Sequence, residues 1–330
     1  MRVVALVHWY VPYHNAGSET MLHTLLRALA DAGHEAHVVT TSQAEGEPEY
    51  DHQGVTVHRA GPLGTVPELL DRLAPAALVT HHQETPHATQ YGRTRGVPVV
   101  QIIHNEMHHT RVWLHKRPAL VVFNTLWIQR ECARYRVPGI VVHPPISPDE
   151  HATTPGELVT LVNLNAHKGG EILYQLAERM PDVAFAGVIG GHGEQVIRWD
   201  VPNVEIIPHT AAMRRDVWAR TRVLLMPSVY ESYGMAAIEA MCSGIPVIAA
   251  PTPGLVESLS WSGTFAVRDD LDAWVSAIRS LLLPDRWVAA SAAALERVAE
   301  LDPRPELDAW VSAVERLEGE GRGHGVRNRR

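Results

Sequence analysis

The sequence predicts an α/β protein made of two doubly wound units, each a parallel sheet with helices on both faces. Three observations carry this prediction. The chain has 330 residues, which suits two domains of about 150 residues better than one core. Short apolar, β-branched runs alternate with amphipathic segments from end to end. The alternation breaks once, at His143-Pro144-Pro145-Ile146-Ser147-Pro148, where the prolines can continue neither helix nor central strand.

Residues 3–7, VVALV, read as a strand buried on both faces. A turn-like stretch follows, and Ser18 is placed to cap a helix with Met21 as its third residue. Met21, Leu22, Leu25, Leu26 and Leu29 then recur at helical spacing on one face, and Gly33 ends the helix. Further strands are expected at 36–40, 55–59, 77–80, 97–103, 120–123 and 140–142. After the proline break the pattern restarts, with strands at 158–164, 183–188, 204–207, 223–226 and 247–249 and a helix at 170–180. The heptapeptide LDAWVSA occurs twice, at 271–277 and 307–313, and reads as two helices that use similar residues on similar faces. The expected division is 1–148, 149–303, a C-terminal helix at 304–318 and a disordered Gly- and Arg-rich tail at 319–330.

Composition excludes several classes. Hydrophobic residues make up 45% and charged residues 20%, the balance of a soluble globular protein. No apolar run approaches the roughly 20 residues needed to cross a bilayer, and the N-terminus lacks a signal-peptide pattern, so the expected location is the cytoplasm. The net charge of −8, without a basic tract in the folded part, disfavours nucleic acid as a partner. Cys132 and Cys242 fall in helical segments without C-x-x-C spacing and read as buried thiols of a reducing compartment.

The segment with the strongest chemical content runs Pro227-Ser228-Val229-Tyr230-Glu231-Ser232-Tyr233-Gly234-Met235-Ala236-Ala237-Ile238-Glu239. It follows a buried strand, and Gly234 opens a helix whose free N–H groups and positive dipole end suit a phosphate. Glu231 precedes that helix and Glu239 lies inside it; each carboxylate can accept from a pair of sugar hydroxyls.

This segment resembles the signature of retaining glycosyltransferases of the GT-B fold, family four, whose two Glu are separated by seven residues as Glu231 and Glu239 are. Other pieces resemble that family in the same order: Ala16-Gly17-Ser18-Glu19, the helix ending at 29–35, the strand that ends in His104, Lys168-Gly169, Gly244-Ile245-Pro246-Val247-Ile248 and Pro253-Gly254-Leu255-Val256-Glu257. The resemblance covers residues 3 to 260 and implies two Rossmann-like domains facing a central cleft, the first for the acceptor and the second for a nucleotide-sugar.

Residue by residue, the resemblance implies that Lys168 meets the diphosphate, Glu231 the donor sugar and Glu239 the ribose. Gly234 and Met235 offer backbone N–H groups, Ser232 and Tyr233 line the loop, Gly17 closes over the diphosphate, and His104 stands beside the sugar. The base is expected near His209 and Thr210. The sequence departs from the family at Ala16, which replaces a Gly, and at Asn163, where the family carries Arg and a charged contact of about 1.5–3 kcal/mol is lost unless compensated.

The implied reaction is a retaining transfer from a UDP-, GDP- or dTDP-sugar to a small-molecule, glycan or protein acceptor. No cofactor or metal is expected, because no DxD pair sits at a fitting strand end. A nucleotide-sugar epimerase, or a binding module without catalysis, is the alternative on the same fold. Trp9, Tyr10 and Tyr13 either pack at the strand end or form a stacking face for the acceptor. The chain holds 20 His; His81, His82, His87, His104, His108, His109 and His115 read as cleft and surface residues rather than metal ligands. Gly190-Gly191-His192-Gly193 reads as a loop near the donor.

Overall fold

The computed structural model describes residues 1–60, 65–191 and 193–324, with side chains as far as Leu317 in the last helix. The chain forms two compact units, Met1–Pro145 together with the chain from Pro303 onward, and Ile146–Asp302.

The first unit is built on eight strands: β1 (Arg2–Val7), β2 (Glu35–Thr40), β3 (Glu49–His52), β4 (Val55–Arg59), β5 (Ala77–Thr80), β6 (Val99–Ile103), β7 (Leu120–Phe123) and β8 (Gly139–Val141). Their order is β3-β4-β2-β1-β5-β6-β7-β8, and every pair is parallel except β3 with β4. β3 is absent from the sequence reading because Glu49-Tyr50-Asp51-His52 offers no apolar run; it is an exposed edge held by pairing with β4. The helix Gly17–Asp31 buries Met21, Leu22, Leu25, Leu26 and Leu29 as its periodicity predicts. Its cap differs from expectation. Ala16 is the N-cap, and the Ser18 hydroxyl donates to Glu19 at 2.8 Å, because the helix begins one residue before Ser18. Ala16 has φ −115°, so the Gly it replaces was not needed for backbone reasons.

The second unit has six parallel strands: β9 (Leu158–Val162), β10 (Phe185–Val188), β11 (Val204–Ile207), β12 (Thr221–Met226), β13 (Val247–Ala249) and β14 (Thr264–Phe265), in the order β11-β10-β9-β12-β13-β14. Ile146 is buried in this unit's core, so the boundary falls inside the proline-rich break.

The two LDAWVSA copies are one helix in each unit. Trp274 is fully buried in the second core and donates its indole N–H to the Val267 carbonyl at 3.0 Å. Trp310 is fully buried in the first and donates to the Leu25 carbonyl at 2.9 Å. The last helix, Arg304–His324, therefore belongs to the first unit, where Glu306 also accepts from the His143 backbone N–H at 2.7 Å. It runs through the start of the expected tail; residues 325–330 lie outside the described residues. Among the described residues no helix is long and apolar enough to cross a membrane. Cys132 and Cys242 are free and buried, and burial pushes their thiols up to about 11 and about 12.

Candidate active site

In an open parallel sheet, ligands sit at the carboxyl ends of the strands where the strand order reverses. In the second unit that point lies between β9 and β12: β10 and β11 extend to one side, β13 and β14 to the other. The loops that leave these two strands carry Lys168 and Glu231. Asn165 caps the turn Ala166–Lys168, its Oδ1 accepting from the Lys168 N–H at 2.9 Å. Val229 N–H donates to the His167 carbonyl at 2.9 Å, so the two loops are joined through backbone. Gly169, at φ +97°, lets them meet: a Cβ there would stand 2.3 Å from Pro227.

The Lys168 ammonium donates to Glu231 Oε1 at 2.5 Å, and the Ser228 hydroxyl donates to the same oxygen at 2.8 Å. A largely buried carboxylate thus faces a partly exposed cation at the switch point. Gly234 follows at φ +91° as N-cap of the helix Met235–Met241, where a Cβ would press on Leu255 at 2.6 Å. Tyr233 is buried behind it, and Ser232 is part of the loop. Glu239 is carried by that helix. Among the described residues no hydrogen-bond donor meets its carboxylate, and burial pushes it up to about 7.

Asn163 has a backbone role. It sits in the left-handed region at φ 69°, where Asn is tolerated far better than Arg. Its Oδ1 accepts from the Asn165 N–H at 3.3 Å and from Gln195 at 3.1 Å, and Gly190 packs directly on its amide. The side chain that stands in the place of the family's Arg shapes the Lys168 turn. A cation that sequence reasoning missed serves the same loops: Arg268 donates to the Pro227 carbonyl at 2.9 Å and the Ala166 carbonyl at 3.0 Å. Its local sequence carries no signal, since its role depends on carbonyls of loops distant in sequence.

The loop holding Glu231 and Ser232 rests on Gly254. A Cβ at Gly254 would lie 2.3 Å from the Glu231 carbonyl and 2.5 Å from the Ser232 backbone. We expect Gly254→Ala to displace this loop and lower turnover by about 10²-fold, the effect of a ~1 Å misplacement; steady-state kinetics checks this, and an unaltered rate would show the loop to be yielding.

His209 and Thr210 follow β11, at the sheet edge. They line a cavity of about 360 Å³ with Arg215, Asp216 and Arg220. Thr210 donates to Asp216 at 2.6 Å and accepts from the Ala212 N–H at 2.9 Å, which fixes the loop. β11 is two strands from β9, roughly 10 Å at the usual spacing.

In the first unit the order reverses between β1 and β5. His8 follows β1, His81 and His82 follow β5, and His104 follows β6. His81 and His104 are buried rather than surface residues and are joined Nδ1 to Nε2 at 2.9 Å. Burial holds both well below the ordinary His range, so both rings are neutral at pH 7. His82 lies beside them with φ 49°, a backbone conformation rare for His. Gly17 begins the first helix and is exposed. Trp9 and Tyr13 are exposed, but Tyr10 is fully buried. Its hydroxyl meets His23 at 2.8 Å inside the core, so it offers no stacking face.

Comparison with known proteins agrees with this fold. The model of Glycosyltransferase Family 4 matches residues 15–150, and that of Glycosyl transferases group 1 matches residues 158–283. The D-inositol 3-phosphate glycosyltransferase of Pseudarthrobacter chlorophenolicus is 28% identical over 151 residues, 40% of this chain and 36% of that protein. The O-antigen chain mannosyltransferase B of Escherichia coli is 31% identical over 126 residues, 38% of this chain and 29% of that protein. The matches thus span about a third of these curated relatives' own length. Sucrose-phosphate synthase from Thermosynechococcus elongatus superposes with a TM-score of 0.72 at 15% identity, covering 99% of this chain and 100% of that one. Anabaena HepE, solved in complex with UDP-glucose, gives 0.74 at 17% identity, covering 97% and 100%. The two family models together span most of the chain, and the fold is GT-B. The chain belongs to the group 1 and family-four glycosyltransferases.

Proposed function

We propose that this protein is a retaining glycosyltransferase that moves a sugar from a nucleoside-diphosphate sugar to an acceptor hydroxyl. The observation that carries the reading is the Lys168–Glu231 pair at the sheet's switch point. Lys168 supplies a mobile positive charge for the diphosphate, aided by the N–H groups at Gly234 and Met235. Glu231, held by Lys168 and Ser228, accepts from hydroxyls of the sugar. Glu239 accepts from the ribose, and the base rests toward His209 and Thr210, in line with the order β11-β10-β9-β12.

The acceptor oxygen forms the new bond to the anomeric carbon on the face from which the diphosphate leaves. The C–O bond to the diphosphate breaks with its electron pair on the phosphate oxygen, which takes the acceptor proton. Neither Glu is a nucleophile, and no metal bridges the diphosphate: lysine and backbone dipoles stabilise the leaving group. His104, as a neutral ring, hydrogen-bonds a sugar hydroxyl. The acceptor is a small molecule, a glycan or a protein. UDP is the preferred nucleotide, by analogy with HepE in complex with UDP-glucose.

A donor that binds only the folded chain raises its melting temperature by mass action, about 2.7 kcal/mol at a hundredfold excess over Kd. We expect UDP-glucose to raise it in a thermal-shift screen against GDP-mannose and dTDP-glucose. No shift with any of the three would overturn the proposal.

A further inference from the structure

We propose that the first unit holds one divalent transition-metal ion of the Zn²⁺ class between His8, Glu19 and His81. These three side chains are buried at 7%, 2% and 0% exposure, and their ligand atoms lie within 4.8 Å of one another. They converge because β1 and β5 are neighbours at the switch point and the helix Gly17–Asp31 starts above them. Two imidazoles and one carboxylate are a recurrent donor set for such ions at sites that keep further positions open.

Two orphaned nitrogens point to a ligand. His8 Nδ1 and His81 Nε2 are both buried without a hydrogen-bond partner, a state that is costly unless a partner arrives. The Nδ1 of His81 is already engaged, 2.9 Å from His104 Nε2. A neutral His81 that donates Nδ1–H to His104 leaves Nε2 as a bare lone pair, the tautomer a metal ligand needs. His104 would then be the outer partner of a metal-bound imidazole, its own tautomer fixed with the proton on Nδ1. Glu19 adds the negative charge, with its Oε2 oriented by the Ser18 hydroxyl at 2.8 Å. Metal bonds of about 2.0–2.2 Å put ligand atoms ~3.4 Å apart, so atoms already within 4.8 Å of one another need close by no more than about 1.4 Å on binding. His82, at φ 49°, is grouped with His81 and His104 within 4.8 Å. The ligands all lie in the first unit, and metal uptake is read without any transfer activity.

The test is metal uptake by the full chain after dialysis against a chelator. Purified chain should bind about one equivalent of Zn²⁺ or Co²⁺, with a rise in melting temperature and the visible Co²⁺ absorption of a low-coordinate nitrogen–oxygen site. Glu19→Gln and His8→Asn should each weaken binding at least tenfold, whereas His108→Ala with His109→Ala, on the exposed surface, should not. Circular dichroism verifies that each variant is folded, and the wild-type spectrum serves alone where one is not. No uptake, a Co²⁺ complex without that absorption, or uptake that follows His108 and His109 would overturn the proposal.

Discussion

Lys168→Met should lower kcat/KM by roughly 10²–10³ while shifting the melting temperature little. The kinetic figure is that of removing one preorganised donor from a developing anion. The stability figure follows from exposure: the Lys168 side chain is 31% exposed, and a partly solvated ion pair is worth about 1 kcal/mol or less. The two measurements separate a positioned cation from a structural one. Lys168→Arg keeps the charge, but the planar fork needs a different approach to the carboxylate, so partial recovery is expected. Ser228→Ala, which removes only a neutral hydrogen bond to Glu231, should cost no more than about tenfold. A Lys168→Met enzyme with unchanged kcat/KM, measured beside its melting curve, would remove the proposed leaving-group stabilisation.

Much of this site was legible because its parts lie in short stretches tied to strand ends. Lys168-Gly169 and Glu231 through Glu239 each lie in the segment that follows a buried strand, so strand periodicity and local residue types place them toward the sheet's carboxyl edge. What was not legible depends on neighbours distant in sequence. Asn163 looked like a lost cation, but its positive φ and the close approach of Gly190 make it a turn residue. Arg268 joins two loops through carbonyls far upstream, which no spacing announces. Tyr10 reads as available beside Trp9, yet it lies past the end of β1 and is drawn into the core, where its hydroxyl meets His23 of the first helix. The meeting of His8, Glu19 and His81 follows from β1 lying beside β5, a pairing that alternation of elements does not specify.

Under the proposed ribose assignment Glu239 ties donor binding to stability with opposite signs, and Glu239→Gln should expose both. Its carboxyl is raised from 4.5 to about 7 by burial. Between those two pH values the folded chain holds a proton that the unfolded chain has released, so this group's stabilising contribution is full below about 4.5 and is lost as pH rises to 7. Above 7 the fold carries a half-buried carboxylate that no donor meets among the described residues, at an expense of about 1–3 kcal/mol after allowance for that exposure. Replacing it by the neutral amide should therefore raise stability at pH 8 by about that amount and leave it nearly unchanged at pH 4. Nucleotide binding should move the other way. In the proposed site the ionised carboxylate would accept from two ribose hydroxyls, whereas the amide has one acceptor oxygen and presents donors where hydroxyls also donate. We expect the variant to bind UDP about 10–10² times more weakly at pH 8, the worth of one or two charge-assisted hydrogen bonds. In the wild type, UDP affinity should fall about tenfold per pH unit once the pH drops below 7, as protonation removes the acceptor, and the variant should lack that dependence. Calorimetric titration with UDP at pH 6 and pH 8, with melting curves at pH 4 and pH 8, reads both effects. Equal affinity in the two proteins would sink the ribose assignment, and equal stability at pH 8 would show that the carboxylate is solvated in the fold.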